Sequence, residues 1–548
     1  MAKLILFLFV SLFTGIKVFG QTYMYLVKFS DRISSPYSIS NPNQFLSQKA
    51  IDRRFKQGIP IKSQDLPPNP NYLDSLKNKG AQVLYKTRWF NGALILATQI
   101  QKDAVLTLPF VSGIEFNTHL KQVSGTPSFK VISRNKFEST SSLNYGDATE
   151  QIALLGVDSM HNAGFHGEGM LVAVLDDGFL NANSLSCLDS AFDRNRVLEV
   201  YDFVDNDSSV FLQGGHGTSV LSCMSAFVEN QLIAPAYNSE YVLYRTEDGS
   251  SETKAEEAYW LIAAERADSL GVDVINTSLG YNTFDNSADN YTTTEMDGNT
   301  TLITRASDIA ASTGMVIVNS AGNSGGSAWN IITAPADGDS VLAIGAVQRN
   351  GVLASFSSRG NPSDSRVKPD IMAVGYQTAL CSTSGVITAY NGTSFSSPLA
   401  AAMIAGLWQA NPLLTSFEIN DIVRRSGHIY ANPNIDYGYG HANFVRADSV
   451  AKSLYPIQSF QSSNAILSLS MSPENTSLLS LKFNADLVGK SIRVTLIDLS
   501  TKSILMQENT LLATSTFQKS IPEHTFSYKF LLRVENLSEP GTIGIFKF

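Results

Sequence analysis

The chain is short of cysteine, of charge and of long apolar runs, and each shortage narrows what it can be. Only Cys187, Cys223 and Cys381 occur among 548 residues. An odd count leaves at least one thiol free in a monomer, and the spacing is not that of a zinc site. Neither a disulfide framework nor a metal site is therefore inferred. Charged residues make up 16% of the chain and the net charge is −9. No long basic run appears, which removes nucleic acid as an implied partner. The one long apolar run, Leu4 to Ile16, has about thirteen residues where a bilayer span needs about twenty. No later stretch qualifies as a membrane helix, and no fixed-period repeat recurs.

What is present divides the chain. Lys3 before the apolar run and Val18-Phe-Gly20 after it read as a signal peptide, residues 1–20, cleaved before Gln21. The expected location is outside the cell or on its surface. At this length about three to four domains are expected. Residues 21–120 read as a small α+β domain. Tyr23 to Phe29 alternates like a half-buried strand, and Phe45 to Phe55 and Leu73 to Lys79 read as helices. Strands are expected around Ala81–Lys86, Gly92–Ala97 and Gly113–Phe116. Residues 121–147, rich in Ser, Thr, Asn and Gly, read as an exposed linker open to proteolysis.

From 148 to 455 strands alternate with helices. Met170–Leu175, Val242–Tyr244, Val272–Ile275, Met315–Val318 and Val341–Ile344 are near-continuous apolar runs, as suits strands buried on both faces of a parallel sheet. Glu256–Leu270 and Leu302–Thr313 read as helices between them. Ser396–Trp408 is apolar nearly all round and reads as a buried central helix. The expected architecture is a doubly wound α/β domain. From 460 to 548 alternation in Ile492–Ile497 and Tyr528–Val534 predicts a small all-β sandwich.

Four motifs in the α/β region carry chemistry. Val-Leu-Asp176-Asp-Gly places a carboxylate at the end of a buried strand, where it can orient a histidine; alone, it could equally be a turn residue. Gly-His216-Gly-Thr sets a histidine at a helix start, and this side chain becomes a general base near neutral pH. Its alternative is a capping loop. Gly-Thr-Ser394-Phe-Ser-Ser-Pro398 puts a serine at the mouth of the buried helix, whose N-terminus supports developing negative charge. A plain serine cap is the competing reading. Asn323, in Asn319-Ser-Ala-Gly-Asn-Ser-Gly, offers an amide donor for an oxyanion hole with the Ser394 backbone N–H, or is an ordinary turn. The chain order Asp, His, Ser separates this arrangement from the other serine-hydrolase designs. An esterase of the α/β-hydrolase type would show Gly-x-Ser-x-Gly and a different order.

Together these motifs resemble the subtilases, the subtilisin-like serine peptidases, over about residues 150–450. The resemblance implies that Asp176 orients, His216 is the base, Ser394 the nucleophile and Asn323 the oxyanion donor of an endopeptidase. It implies that Ser278-Leu279-Gly280 and Ser320-Ala321-Gly322 bind the substrate. No cofactor is required. Structural calcium is common in the family, but the acidic loop Asp202-Phe-Val-Asp205-Asn-Asp207 is not an EF-hand and reads as solvated. The family's usual Ser or Thr after the catalytic Asp is Asp177 here, as in the proprotein-convertase branch; Asp177 is expected beside the cleft, favouring a basic substrate residue. Val374 also replaces a usual proline. Residues 21–120 resemble subtilase propeptides, which makes the chain's own propeptide a partner besides polypeptide substrates. The C-terminal part loosely resembles sorting domains of the type IX system, so secretion machinery is a further expected partner. The competing class, an inactive adhesin on the same scaffold, would have lost a catalytic residue, and none is lost.

Overall fold

The computed structural model describes residues 21–119, 143–360 and 362–455, and then 457–458, 466–472, 477–498, 504–521, 530–537 and 541–547. The expected signal peptide and most of the expected linker lie outside the described residues.

The first domain is a four-stranded antiparallel sheet in the order β2-β3-β1-β4, made of β1 (Thr22–Phe29), β2 (Gln82–Thr87), β3 (Gly92–Thr98) and β4 (Val111–His119). Helices α1 (Gln48–Lys56), α2 (Pro70–Asn78) and α3 (Gln99–Leu106) complete it. Helix α3 has no counterpart among the elements expected from the sequence. Its eight residues are too few to show a strong period, but Thr98 and Gln101 form a capping box that marks its start.

The second domain is built on a seven-stranded parallel sheet. Its strands are β5 (Leu171–Asp176), β6 (Val197–Asp202), β9 (Glu240–Arg245), β10 (Val274–Thr277), β11 (Val316–Ser320), β12 (Val341–Val347) and β13 (Ile371–Val374), and β7 (Phe227–Val228) and β8 (Leu232–Ile233) form a small hairpin outside it. The order is β13-β12-β11-β10-β5-β9-β6. From β5 the chain goes to the edge strand β6, returns to β9 beside β5, then crosses to β10 and runs outward through β11 and β12 to β13. The crevice at the C-terminal ends of β5 and β10 is thus the place where such sheets bind ligands.

Short helices α4 (Thr149–Leu154), α5 (Val157–Asn162) and α6 (Asp189–Phe192) precede α7 (His216–Ser225), α8 (Lys254–Leu270) and α9 (Leu302–Ser312). After the hairpin β14 (Thr378–Cys381) and β15 (Ile387–Tyr390) come α10 (Thr393–Ala410), α11 (Ser416–Arg425) and α12 (Phe444–Leu454). Every residue of α10 from Thr393 to Trp408 is buried, as its all-round apolar pattern predicts. Helix α8 starts at a Thr253–Glu256 capping box and stops at Gly271, in the left-handed conformation at φ 87°.

Two expectations are corrected. Cys187 and Cys381 form a disulfide across 194 residues with Cα atoms 6.7 Å apart, a tertiary pairing that sequence spacing cannot show. Cys223 on α7 stays free and buried, and burial pushes its thiol pKa up. The acidic loop after β6 is only partly solvated. Asp202 is buried, and Arg245 bridges Asp202 and Asp205, at 2.8 Å to each.

The C-terminal strands β16 (Ile457–Gln458), β17 (Ile466–Ser472), β18 (Ser477–Phe483), β19 (Ser491–Asp498), β20 (Ile504–Leu511), β21 (Thr516–Ile521), β22 (Phe530–Asn536) and β23 (Gly541–Lys547) make two sheets, β16-β23-β22-β19-β20 and β17-β18-β21. Leu479, Leu481 and Phe483 of one sheet share a core with Val494, Leu532 and Val534 of the other, which makes a small sandwich.

The first domain packs on α8. Met24, Leu26, Trp89 and Leu94 share an apolar core with Tyr259, Ile262 and Ala263. At its edge Asp268, fully buried, receives Arg53 at 2.6 Å, Arg54 at 2.8 Å and Arg88 at 2.9 Å. Neighbouring Glu265 accepts the backbone N–H groups of Arg88 at 2.7 Å and Trp89 at 3.0 Å. Burial alone would raise the Asp268 pKa, but the three guanidinium groups hold it well below the ordinary carboxylate range.

Candidate active site

Asp176 is the last residue of β5 and is fully buried. His216 opens α7, and its Nδ1 lies 2.7 Å from Asp176 Oδ1. The glycine after His216 permits this approach: a Cβ on Gly217 would stand 2.3 Å from the Gly178 carbonyl and 2.9 Å from Asp176 Cβ. Asp176 Oδ1 also accepts the Asp177 N–H at 2.9 Å, while Oδ2 is buried without a hydrogen-bond partner. An ionised Asp177 cannot donate to that oxygen as a Ser or Thr hydroxyl could.

Burial pulls the His216 pKa down, but the Asp176 carboxylate and its hydrogen bond outweigh burial and hold it up at about 9. The carboxylate thus stabilises the charged imidazolium.

Ser394 is the second residue of α10 and is 9% exposed. Its Oγ donates to the Ser278 carbonyl at 3.3 Å, and Ser278 Oγ donates to the Ser394 carbonyl at 2.8 Å. The His216 ring packs against Phe395, the next residue, with centroids 5.6 Å apart. In this resting geometry the serine hydroxyl bonds to backbone; catalytic hydrogen bonds commonly tighten only with substrate in place.

Asn323 is exposed, and its Oδ1 accepts both the Thr393 N–H at 2.9 Å and the Thr393 hydroxyl at 3.0 Å. A backbone N–H can only donate, so the amide oxygen is fixed toward Thr393. Thr393 was not singled out in the sequence; its place immediately before Ser394 was the available signal.

The two expected binding segments face each other. Asn319 Nδ2 donates to the Leu279 carbonyl at 3.0 Å, and the Ser320 hydroxyl to the same oxygen at 3.3 Å. Ala321 packs its methyl into a small cluster with Ile332, Ala336 and Ala343. Gly322 N donates to Thr393 Oγ1 at 3.2 Å, tying this segment to the start of α10.

Asp177 is half-buried, and its Oδ1 accepts the Gly217 N–H at 3.2 Å, which is the turn-capping role. It also lines a cavity of about 500 Å³ together with His216, Glu247, Glu252, Glu256 and Asp285. Burial, then the neighbouring Asp176 charge, raises its pKa to about 6.

Asp176, Asp177 and His216 could each offer one ligand atom within 4.8 Å of the others, the single such group among the described residues. The set does not fit calcium, which takes six to eight oxygens, because Asp176 Oδ1 is already committed to His216.

The subtilase family profile matches residues 167–442, half of the chain. The chain belongs to the subtilase family. A profile for peptidase S8 propeptide domains of Bacteroidota matches residues 24–132. Subtilisin J of Geobacillus stearothermophilus is 25% identical over 434 residues, spanning 78% of this chain and 97% of that protein. Subtilisin E of Bacillus subtilis is 27% identical over 383 residues, 68% of this chain and 85% of that one. A solved protease structure from Pseudoalteromonas arctica aligns with 57% of this chain and 100% of its own at 21% identity and a TM-score of 0.44. This subtilase is therefore a subtilisin-like serine endopeptidase by homology, with a propeptide domain ahead of its catalytic domain. Among its described residues no helix is long and apolar enough to cross a membrane.

Proposed function

We propose that this subtilase is a secreted serine endopeptidase that hydrolyses peptide bonds through an acyl-enzyme. Ser394 Oγ attacks the scissile carbonyl carbon while His216 Nε2 takes its proton. Buried Asp176 orients the ring and stabilises the imidazolium. The carbonyl oxygen becomes an oxyanion held by the Ser394 N–H and Asn323 Nδ2. His216 then returns the proton to the leaving amine, and water hydrolyses the ester by the same route. The observation that carries this reading is the 2.7 Å contact between His216 and buried Asp176, at the sheet edge that Ser394 shares through Ser278.

Asn323→Ala is expected to lower kcat by about 10²–10³ with little change in KM, a size known from the matching donor in subtilisin. Steady-state kinetics check it. An effect on KM alone would make Asn323 a ground-state contact.

The acidic cavity beside His216 supports a preference for a basic residue next to the scissile position, on the His216 side and not between Ser278–Gly280 and Ser320–Gly322. Asp177 is charged only above its pKa of about 6. The preference for Lys over Ala there should grow as pH rises from 5 to 7 and flatten in Asp177→Ser. The gain is mild, about 0–1 kcal/mol, and fades with salt. A peptide-pair comparison giving the same ratio at both pH values would remove Asp177 from specificity.

Residues 21–120 act as a folding aid and inhibitor. Cleavage between about His119 and Gly146 releases the catalytic domain, residues 148–455. Residues 460–548 serve export across an outer membrane and are dispensable for hydrolysis. One observation favours a structural role as well: Arg533 Nη1 donates to the Leu413 carbonyl at 2.6 Å and pairs with Glu418 at 3.1 Å. Truncation after Pro456 should keep peptide hydrolysis within a few-fold and stop export in a host with the type IX system. Truncated protein reaching the medium would leave the structural role alone.

A further inference from the structure

The segments Ser278–Gly280 and Ser320–Gly322 stand on either side of the approach to Ser394. Ser278 exchanges hydrogen bonds with Ser394 at 3.3 and 2.8 Å, and Gly322 N is tied to Thr393 at 3.2 Å. On the reading of these segments as the substrate-binding walls, which the subtilase resemblance implies, the side chain of the residue before the scissile bond lodges between them. What stands there decides which residues fit.

Thr333 stands there. A Cβ built on Gly280 would lie 2.1 Å from Thr333 Oγ1, and one built on Gly322 would lie 3.2 Å from the same atom. One hydroxyl therefore occupies the gap between the glycine ends of both walls. Ser358 Oγ, 2.9 Å from the Gly322 Cβ position, flanks it. Thr333 is 5% exposed, and its Oγ1 has no hydrogen-bond partner. It cannot withdraw easily. The next residue, Ala334, pairs with Tyr281 through two backbone hydrogen bonds of 2.8 and 3.2 Å, and Tyr281 and Ala334 are both buried. A β-branched side chain also has little rotamer freedom. A phenyl or isobutyl group entering the gap would have to displace this plug or press carbon against an unpaired hydroxyl.

We propose, on the reading of Ser394 as nucleophile, that Thr333 closes the pocket for the residue preceding the scissile bond, so that this peptidase cleaves after small residues: glycine, alanine or serine. The residue is specificity-determining and takes no part in proton transfer.

The test uses the self-processed full chain and peptides differing only at that residue, with Gly, Ala, Ser, Leu, Phe or Lys. The expected kcat/KM for Ala exceeds that for Phe by at least 100-fold. Thr333→Gly should raise the Phe value at least tenfold and narrow the ratio, whereas Thr333→Val, equal in bulk, should keep the small-residue preference. Wild-type enzyme that cleaves after Phe or Leu as fast as after Ala overturns the proposal, whether or not the variants fold. Titration with a fluorophosphonate separates the two claims. Labelled enzyme without a size preference defeats only the pocket; active enzyme that the reagent does not touch defeats the serine reading on which it rests.

Discussion

Ser394→Ala is expected to lower kcat by on the order of 10⁶, the loss seen in subtilisin when its own nucleophile is removed. The same variant should accumulate as an unprocessed precursor, because the proposed propeptide cleavage uses the same serine. Ser394 lies at the N-terminus of the buried helix α10, within reach of Ser278 on one side and next to Thr393, which fixes Asn323, on the other. Alanine leaves helix, amide and walls in place, so residual rate from the oxyanion hole and binding should survive while the acyl-enzyme cannot form. Kinetics on purified protein, with gel analysis of the precursor, check both parts. Retention of more than a tenth of the activity would remove Ser394 from the mechanism.

Asp268→Ala should release the propeptide domain. The carboxylate is the shared partner of Arg53, Arg54 and Arg88, all four side chains being buried. Removing it leaves Arg53 buried without a carboxylate, and Arg54 and Arg88 with only Asp65 and Glu265. Breaking a buried pair in this way costs about 3–5 kcal/mol, two to more than three powers of ten in dissociation constant. Recovery of activity on dilution of the processed complex measures it. The sign with pH follows from the depressed pKa. The stabilisation is present above the ordinary carboxylate value of about 3.9 and is lost only as pH falls through the lower folded value. Mild acid should therefore not release the domain through Asp268. Inhibition unchanged in Asp268→Ala would place the binding energy in the apolar contacts around Trp89 and Leu94 instead.

Much of the fold was legible because the central strands are apolar runs and the helices between them are capped. Leu171–Asp176 and Val316–Ser320 fall within a residue or two of their expected positions. Strand β6 was not legible: Val-Leu-Glu-Val-Tyr-Asp carries charges, and Glu199 is buried where Arg266 from α8 and the Tyr244 hydroxyl both bond to it. The disulfide and the arginine cluster on Asp268 are likewise long-range pairings with no local signature. At the site, Asp176, His216, Ser394 and Asn323 stood out because each motif carries small residues that let backbones approach. Thr393 and Thr333 did not. One acts by orienting an amide and the other by filling a gap, and both depend on what the fold brings beside them.

The most direct measurement is to inactivate the purified wild-type enzyme with an organofluorophosphate and map the modified peptide by mass spectrometry. The reagent requires a serine whose hydroxyl is activated by a neighbouring base. One adduct on Ser394, formed in proportion to lost activity and absent in His216→Ala, is the expected result. An adduct on another residue, or full activity after exposure, would contradict the Asp176–His216–Ser394 assignment.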